Sequence, residues 1–488
     1  MTGGQASGTS VTDFRLPDFT PVHPFQEGPM TTDGLLRVCR FLSGLSFSAI
    51  SGRVIHHAKL VLLDTLGVIV SGSETRAVGA LVDRLPGCRL NRGGVTCPGR
   101  PNSFNPIWAA LINGIAGSSL EFEEGHSRAM GHPAIQIVPA VLSQAEAHGL
   151  SGKDLLRGLV CGYEMAARVS RASSMRKGLH PTGTWGTVGS AVGVGCVRRR
   201  QADALHQIAN IAASYAFSPY VKNSFVGKTV ASTFAGTVNL AGILANLYYD
   251  SGVRADEESL AMTFSRFLSE GFDGERLAAG LGERFAITEN YFKPYPTCRF
   301  NHSALDALQV ILRETPVTHE EVTGISVVSF RAAVHGDSSL PSNAEAMRFS
   351  TPYLMAVMIR YGRIDLELMN DKILKDPVIK SLAERVEMVF SPEYERLRPE
   401  RNPARVILRL RDGRELTSEV MNCLGDPLNA MPEPSMLVKF FSLTDPVLGE
   451  KRSKAFVRRF GNIESEKNIR STIRLLRPAG KGNRDDLG

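Results

Sequence analysis

Apolar positions recur at helical spacing through most of the chain. Over residues 54–65 and again over 155–166 they fall three and four residues apart, as on one face of an α-helix. Ser151 precedes the second stripe and is typical of a helix start. Small residues crowd positions 189–195 and 235–245, where they permit close packing of helices or close approach of the backbone to a ligand. The pattern predicts a mainly helical fold.

The period of the pattern changes near Tyr291. Residues 325–330 form a β-branched run, and the stretches 405–410 and 415–420 flank an Asp412-Gly413 turn, which predicts a β-hairpin. Helical patterns lie between these strands. This part of the chain is therefore predicted to form a separate α+β unit.

Five segments follow from these changes in pattern. Residues 34–290 and 426–477 are predicted to be the two parts of one helical domain, and residues 291–425 are predicted to form the α+β unit. Residues 1–33 are polar and rich in Gly, Ser, Thr and Pro, so they are predicted to be a disordered tail, and residues 478–488 a second flexible tail. A length of 488 residues suits two or three domains at about 150 residues each.

Charge and hydropathy narrow the classes of partner. The net charge is +7 and the isoelectric point is about 9.0, but the basic residues are dispersed rather than gathered on one face with aromatic residues. This distribution argues against a nucleic-acid partner and leaves open a local positive pocket for an anionic substrate. No uninterrupted apolar run reaches about 18 residues, so we predict no membrane-spanning segment.

Cysteine usage points to a reducing compartment. The chain has seven cysteines, none in a CxxC pair and none clustered with histidines at zinc-binding spacing. The N-terminal residues lack both the apolar core of a signal peptide and the arginine-rich character of a transit peptide. These observations predict a cytoplasmic protein without a structural metal.

The first segment that could carry chemistry is the acidic loop, residues 121–133. Glu121, Glu123, Glu124, His126 and His132 lie close together among glycines and a proline. An imidazole can transfer a proton near neutral pH, and a nearby carboxylate can orient it. A solvated acidic loop with a capping histidine is the alternative, and a metal site lacks the support of an HExxH pattern.

Two further segments carry polar groups of this kind. Residues 180–186 place His180 and Thr184 in a glycine-rich loop before a helix, where backbone N–H groups could bind a carboxylate or simply start the helix. Residues 293–302, called the cationic segment below, contain Lys293, Arg299 and His302 held by two prolines. The two cations could pair with substrate carboxylates, and His302 could equally be a helix cap. Its Cys298 lacks an acyl-transfer motif and is more typical of a buried structural thiol.

Together these segments resemble the MmgE/PrpD family over about residues 35 to 475. The most specific parts are residues 121–140, 162–164 and 180–186 and the cationic segment. The resemblance implies a large all-helical domain built from both ends of the chain, called the body below, and a smaller α+β lid, residues 291–425. It also implies a homodimer, no metal and no organic cofactor, with the active site between the two domains.

The resemblance carries residue roles onto matching positions. It assigns catalytic roles to Glu121, His132, His180, Lys293 and, in the lid, Tyr353. We expect substrate contacts from Arg299, His302, Thr184 and Cys298. Two departures stand out, since Ala231 occupies a position that is often basic and Gly125 one that is often threonine. Cys298 also stands where some decarboxylases have histidine, which says little about the substrate.

The resemblance implies a lyase that moves a proton at a carbon next to carboxylates. Decarboxylation of a cis-aconitate-like acid is favoured because the spacing from Glu121 to His132 is similar to that in decarboxylases of the family. Dehydration of a 2-methylcitrate or 2-alkylcitrate is the first alternative, and an isomerase or epimerase the second. Ala231 keeps open a homologue that binds a polycarboxylate without turning it over.

Overall fold

The computed structural model of the protein describes residues 33–334 and 341–479. Asp33 opens the first helix, so the two tails predicted from composition lie outside the described residues except at their inner ends. The two largest hydrophobic cores of the described residues lie in different parts of the chain. The larger core takes side chains from Leu35 to Phe292 and again from Met431 to Leu476, and the second takes them from Tyr295 to Leu410.

The body is helical, and its first and last parts pack together. Ser151 caps the helix Gly152–Arg171 through a reciprocal capping box with Asp154, as the sequence pattern indicated. The α-helices of the body are Asp33–Gly44, Gly52–Gly72, Arg76–Arg84, Pro106–Ser118, Val138–Ala147, Gly152–Arg171, Trp185–Val197, Ala202–Ser214, Lys222–Phe225, Thr233–Asp250, Ser259–Met262, Gly274–Ala278, Glu433–Leu448, Glu450–Phe460 and Arg470–Ile473.

Short strands that the sequence analysis missed also lie in the body. Strand Ser103–Phe104 pairs with both Arg89–Leu90 and Val95–Thr96, and Ser173–Met175 pairs with Ser269–Phe272, all antiparallel. They are too short to show a period of two in the pattern of apolar residues.

The lid is built on a four-stranded sheet. Its strands lie in the order Val386–Phe390, Val322–Ser329, Ala404–Leu410 and Glu415–Val420, with only the first pair parallel. The last two strands form the predicted hairpin, and Gly413 adopts the positive φ of 88° that the turn requires. The α-helices of the lid are His302–Glu314, Arg331–Val334, Ala344–Met347, Thr351–Tyr361, Asp371–Leu374, Pro377–Ala383 and Pro392–Arg396.

Two stretches of the body, Gly52–Gly72 and Thr229–Asp250, are long and apolar enough to cross a membrane by length and composition alone. Their most apolar windows are 72% and 50% buried inside the protein. Gly52–Gly72 packs against Pro106–Ser118 and Glu433–Leu448. Helices in the core of a folded protein have this apolar character, so these two stretches are weak evidence for a membrane.

Candidate active site

A cavity of about 560 Å³ lies between the body and the lid. Its wall brings together five of the nine predicted catalytic and substrate-binding residues, which come from three separate segments. They are Glu121, His132, His180, Cys298 and Arg299. Six lysine or arginine side chains and three glutamates lie in the described wall, so the cavity favours an anion.

The acidic loop is held in a strained conformation at the edge of this cavity. Glu121 and Met130 both have a φ of 52°, in the left-handed region that residues other than glycine seldom adopt. Gly125 and Tyr291 exchange two backbone hydrogen bonds of 3.0 and 2.7 Å, which tie the loop to the start of the lid. A Cβ atom at Gly125 would lie 2.3 Å from the Tyr291 hydroxyl, so a threonine does not fit here without movement.

His132 presents a free ring nitrogen to the cavity. Its Nδ1 lies 2.8 Å from the backbone carbonyl oxygen of Glu124. Because a carbonyl only accepts, Nδ1 carries the proton of the neutral ring, and Nε2 keeps its lone pair. The edge of the ring meets Tyr291 at a centroid distance of 6.4 Å. In its neutral form His132 is therefore placed to accept a proton through Nε2.

His180 has the opposite tautomer. The backbone N–H of Thr182 donates to its Nδ1 at 3.1 Å, so the proton of the neutral ring lies on Nε2. Burial, together with the nearby His132, lowers the pKa of His180 to about 4, and Glu121 opposes the shift. Near neutral pH, His180 is thus an uncharged hydrogen-bond donor.

Glu121 and Lys293 form a buried ion pair beside these rings. The Lys293 ammonium donates to Glu121 Oε1 at 2.7 Å and to the Glu121 carbonyl at 3.0 Å, and its side chain is 0% exposed. Burial alone lowers the pKa of Lys293, but the carboxylates of Glu121 and Glu123 outweigh it and raise the pKa above its usual value. Burial alone raises the pKa of Glu121, and Lys293, His132 and His180 bring it down to about 2.

This ion pair changes the expected role of Lys293. The ammonium does not reach the cavity wall and is already paired, so it lies behind Glu121. Glu123 Oε2 lies 4.0 Å from Lys293 Nζ and accepts no hydrogen bond, and this residue does line the cavity. Glu121, held ionised by the lysine, is the group of the pair that a ligand would meet.

A second buried ion pair, between Asp64 and Lys439, supports the acidic loop. Lys439 lies 2.6 Å from Asp64 Oδ1 and donates to the Phe122 carbonyl at 2.8 Å, with its ammonium 4.1 Å from the centre of the Phe122 ring. Glu124 accepts from the Ala134 N–H at 2.7 Å and from the Tyr163 hydroxyl at 2.9 Å. The loop thus rests on groups from the body, including a helix from its C-terminal part.

Of the three lid arginines on the cavity wall, Arg299 and Arg348 differ in their pairing. Arg299 donates to Asp426 Oδ2 at 2.6 Å and to the Cys423 thiol, and it stacks over Tyr291 at 4.7 Å. Arg348 is 7% exposed and donates only to two backbone carbonyls, at 2.9 and 3.1 Å, and its Nε has no partner. Among the described residues, no carboxylate pairs with Arg348. Arg348 is therefore the better placed of the two to bind a carboxylate of a ligand.

The missing basic side chain at Ala231 has a neighbour that can replace it. Ala231 and Lys228 both line the cavity, on the stretch that leads into the helix Thr233–Asp250. Lys228 is exposed at the wall. A cation therefore remains close to the position that the family often fills with one.

Besides Lys293, three of the predicted site residues do not lie on the cavity wall. Tyr353 is buried in the lid core, where its hydroxyl donates to the Leu374 carbonyl. His302 begins a helix, and its Nε2 lies 3.2 Å from the Thr297 carbonyl. Thr184 is also buried, and its hydroxyl donates to the Pro181 carbonyl at 2.6 Å.

The structure adds residues that sequence analysis missed. Thr182 rather than Thr184 lines the cavity and orients His180. Arg348 gave no signal because it stands alone, outside any cluster of polar residues. Burial raises the pKa of the Cys298 thiol to about 12, so this cavity-lining residue stays protonated and is a poor nucleophile.

In the described parts of the chain, no group of three His, Cys, Asp or Glu side chains is arranged to hold a metal ion. The acid–base groups of the cavity include one imidazole with a free lone pair, one with a free N–H, an ionised carboxylate and several cations.

Two family models match the chain, one after the other. Residues 37–276 match the MmgE/PrpD N-terminal domain and residues 295–461 match the MmgE/PrpD C-terminal domain. The chain is 24% identical to the cis-aconitate decarboxylase of Aspergillus terreus over 452 aligned residues. The alignment covers 86% of this chain and 90% of the relative.

Two other relatives carry related names. The chain is 21% identical over 457 residues to cis-aconitate decarboxylase of Homo sapiens, across 89% of this chain and 93% of the relative. It is 24% identical over 363 residues to mitochondrial 2-methylcitrate dehydratase of Yarrowia lipolytica, across 69% of each chain. With both domain models matched in order, the chain belongs to the MmgE/PrpD family.

Proposed function

We propose that this protein is a lyase that decarboxylates a cis-aconitate-like polycarboxylate. One observation carries the proposal: His132 and His180 line the same cavity with opposite tautomers, beside an arginine that has no carboxylate partner. Relatives named cis-aconitate decarboxylase support the choice of reaction.

The cavity wall suits a substrate with several negative charges. Arg348 can bind one carboxylate through its guanidinium, and Lys228 can bind a second. Neutral His180 can donate its Nε2–H to a carboxylate without a charge of its own. These donors are fixed in a largely buried site, where they stabilise negative charge more than water does.

Decarboxylation then needs one proton at carbon. The bond to the departing carboxylate breaks, CO2 leaves, and the electron pair passes onto the carbon skeleton beside the remaining carboxylates. Protonated His132 gives the proton on Nε2 to carbon, while the Glu124 carbonyl keeps Nδ1–H in place. Water restores the proton on His132 for the next turnover.

Dehydration of an alkylcitrate is the alternative that the same geometry allows. In neutral His132 the Nε2 lone pair is free to remove a proton from carbon, and an acid would then protonate the leaving hydroxyl. The relative named 2-methylcitrate dehydratase keeps this reaction open. Isomerisation or epimerisation would use only the proton transfer, and a binding protein without turnover would use only the cations.

NMR in deuterated water with purified protein distinguishes these reactions. Decarboxylation of cis-aconitate would release CO2 and place solvent deuterium on the product carbon. Dehydration of 2-methylcitrate would give an alkene with no loss of carbon. Binding of these acids by calorimetry with no change in either spectrum would contradict an enzymatic role.

A further inference from the structure

The cavity is larger than a compact tricarboxylate needs. At about 30 Å³ for each non-hydrogen atom, the share that water takes in the liquid, roughly a dozen atoms fill about 360 Å³. The cavity measures about 560 Å³. Room therefore remains for a further part of the ligand, and the chemistry of the wall indicates what that part is.

One side of the cavity is an apolar wall formed by Leu179, Val221, Phe225 and Phe349. Phe225 of the body meets Phe349 of the lid edge to face, with ring centroids 5.7 Å apart. The Val221 N–H donates to the Gly178 carbonyl at 3.0 Å, which holds the segments of Val221 and Leu179 side by side. The wall is therefore a fixed surface.

This wall adjoins the groups that bind charge. Leu179 directly precedes His180, and Phe349 directly follows Arg348. All four line the same cavity. A ligand with carboxylates at His180 and Arg348 would place a neighbouring substituent against Leu179 and Phe349. Water in contact with these side chains is displaced most favourably by an apolar group.

We propose that the natural substrate is a polycarboxylate with an apolar substituent several carbons long, seated on this wall. The inference rests on the proposed function for the charged end of the site. The wall acts as the specificity element, because each buried methylene stabilises the bound state by about 0.8 kcal/mol, or about fourfold in kcat/KM. An unsubstituted acid leaves the apolar wall in contact with water.

A homologous series tests the proposal. The purified full-length protein is supplied with cis-aconitates and citrates that carry hydrogen, methyl, propyl or pentyl at the same carbon, and kcat/KM is measured by NMR. We expect kcat/KM to rise about fourfold per methylene until the wall is covered. Values that stay flat or fall from hydrogen to propyl would overturn the proposal.

Failure of the proposed function gives a different result. If no acid is turned over while calorimetric affinity rises with chain length, the lyase proposal fails and the apolar wall is supported. If the unsubstituted acid is turned over and longer acids are rejected, the lyase proposal stands and the apolar substituent is excluded.

Matched variants test whether the gain in kcat/KM with chain length depends on the apolar wall. Val221→Phe fills part of the cavity, whereas Val438→Phe makes the same change at a site that is 69% exposed, on the helix Glu433–Leu448 and outside the cavity wall. Val221→Phe should abolish the gain from propyl to pentyl, and Val438→Phe should keep it. Phe225→Ala, which needs no extra space, should reduce the gain for every added carbon. An unchanged chain-length profile in both cavity variants would overturn the assignment of the wall.

Discussion

The Lys293 ammonium donates to Glu121 Oε1 at 2.7 Å, which joins the start of the lid to the acidic loop of the body. Neither group is free, since each needs the other to remain charged where it is buried. Lysine and glutamate thus act as one unit, with the glutamate facing the two histidines.

Lys293→Met should damage both stability and turnover. It leaves Glu121 without its counter-charge, and breaking a buried pair costs about 3–5 kcal/mol. Denaturant unfolding and kcat/KM measure the two effects. The double variant Glu121→Gln/Lys293→Met should recover much of the stability but not the activity. A single variant with wild-type stability and a higher KM alone would instead favour a lysine that binds substrate directly.

Replacing His132 by asparagine should lower turnover and leave the fold intact. Asparagine places a donor near the Nδ1 position, so His132→Asn keeps the contact with the Glu124 carbonyl and loses Nε2. We expect kcat to fall by about 10²–10⁴ with the fold intact, as for loss of a general acid or base. Circular dichroism provides the check on folding. Wild-type kcat in His132→Asn would remove this residue from the chemistry.

Arg348→Leu should weaken substrate binding more than folding. Because Arg348 contacts only backbone carbonyls in the protein, its positive charge remains available to a ligand. We expect a KM at least tenfold higher, consistent with loss of a charged hydrogen bond worth about 1.5–3 kcal/mol. Arg313→Leu is the matched control, since Arg313 is an exposed arginine of the lid that does not line the cavity. Equal effects of the two variants on KM would contradict a special role for Arg348.

The pair of Asp64 and Lys439 should behave as a structural support for the acidic loop. Burial raises the pKa of Asp64 and lowers the pKa of Lys439, so each depends on the other to stay charged. Lys439→Met should therefore lower the free energy of unfolding by about 3–5 kcal/mol. Adding Asp64→Asn should restore part of that loss. A double-mutant cycle measures the coupling, and additive losses would show that the pair does not act together.

Stability should fall as the pH drops from about 6.5 toward 4. Burial lowers the pKa of His126 to about 3, with Arg171 and Arg128 acting in the same direction. Below about pH 6.5 the His126 imidazole binds a proton in the unfolded chain but not in the folded protein. The free energy of unfolding therefore decreases as the pH falls. Each unit of difference in pKa is equivalent to about 1.4 kcal/mol.

The variant His126→Asn isolates this contribution. Its amide oxygen can still accept from the Ala129 N–H, which donates to Nδ1 at 3.1 Å in the protein. Denaturant unfolding between pH 7 and 4 should show a shallower decline for the variant. Parallel curves for the two proteins would mean that His126 is not held neutral by the fold.

Local patterns in the sequence predicted much of the fold. The cap at Ser151 and the turn at Gly413 depend on neighbouring residues alone, and both were confirmed. The cavity, in contrast, depends on tertiary packing. Tyr353 and Thr184 matched the family motifs but point into hydrogen bonds of their own, away from the cavity wall.

The availability of the cations in the cavity also depends on tertiary packing and could not be predicted from the sequence. Lys293 and Arg299 were identified by residue type, yet residue type cannot reveal whether a charge already has a partner inside the protein. Burial and pairing make Arg348 the more available cation. Such information comes only from residues far apart in the sequence.

The contact of Lys439 with Phe122 spans 317 positions along the chain. During synthesis at about 5–20 residues per second, the acidic loop therefore leaves the ribosome roughly 15–60 s before the lysine that secures it. The nascent chain must keep an unpaired Asp64 accessible to water for that interval. The support of the acidic loop is consequently completed late in synthesis, and protein fragments that end before the helix Glu433–Leu448 should leave the loop unanchored.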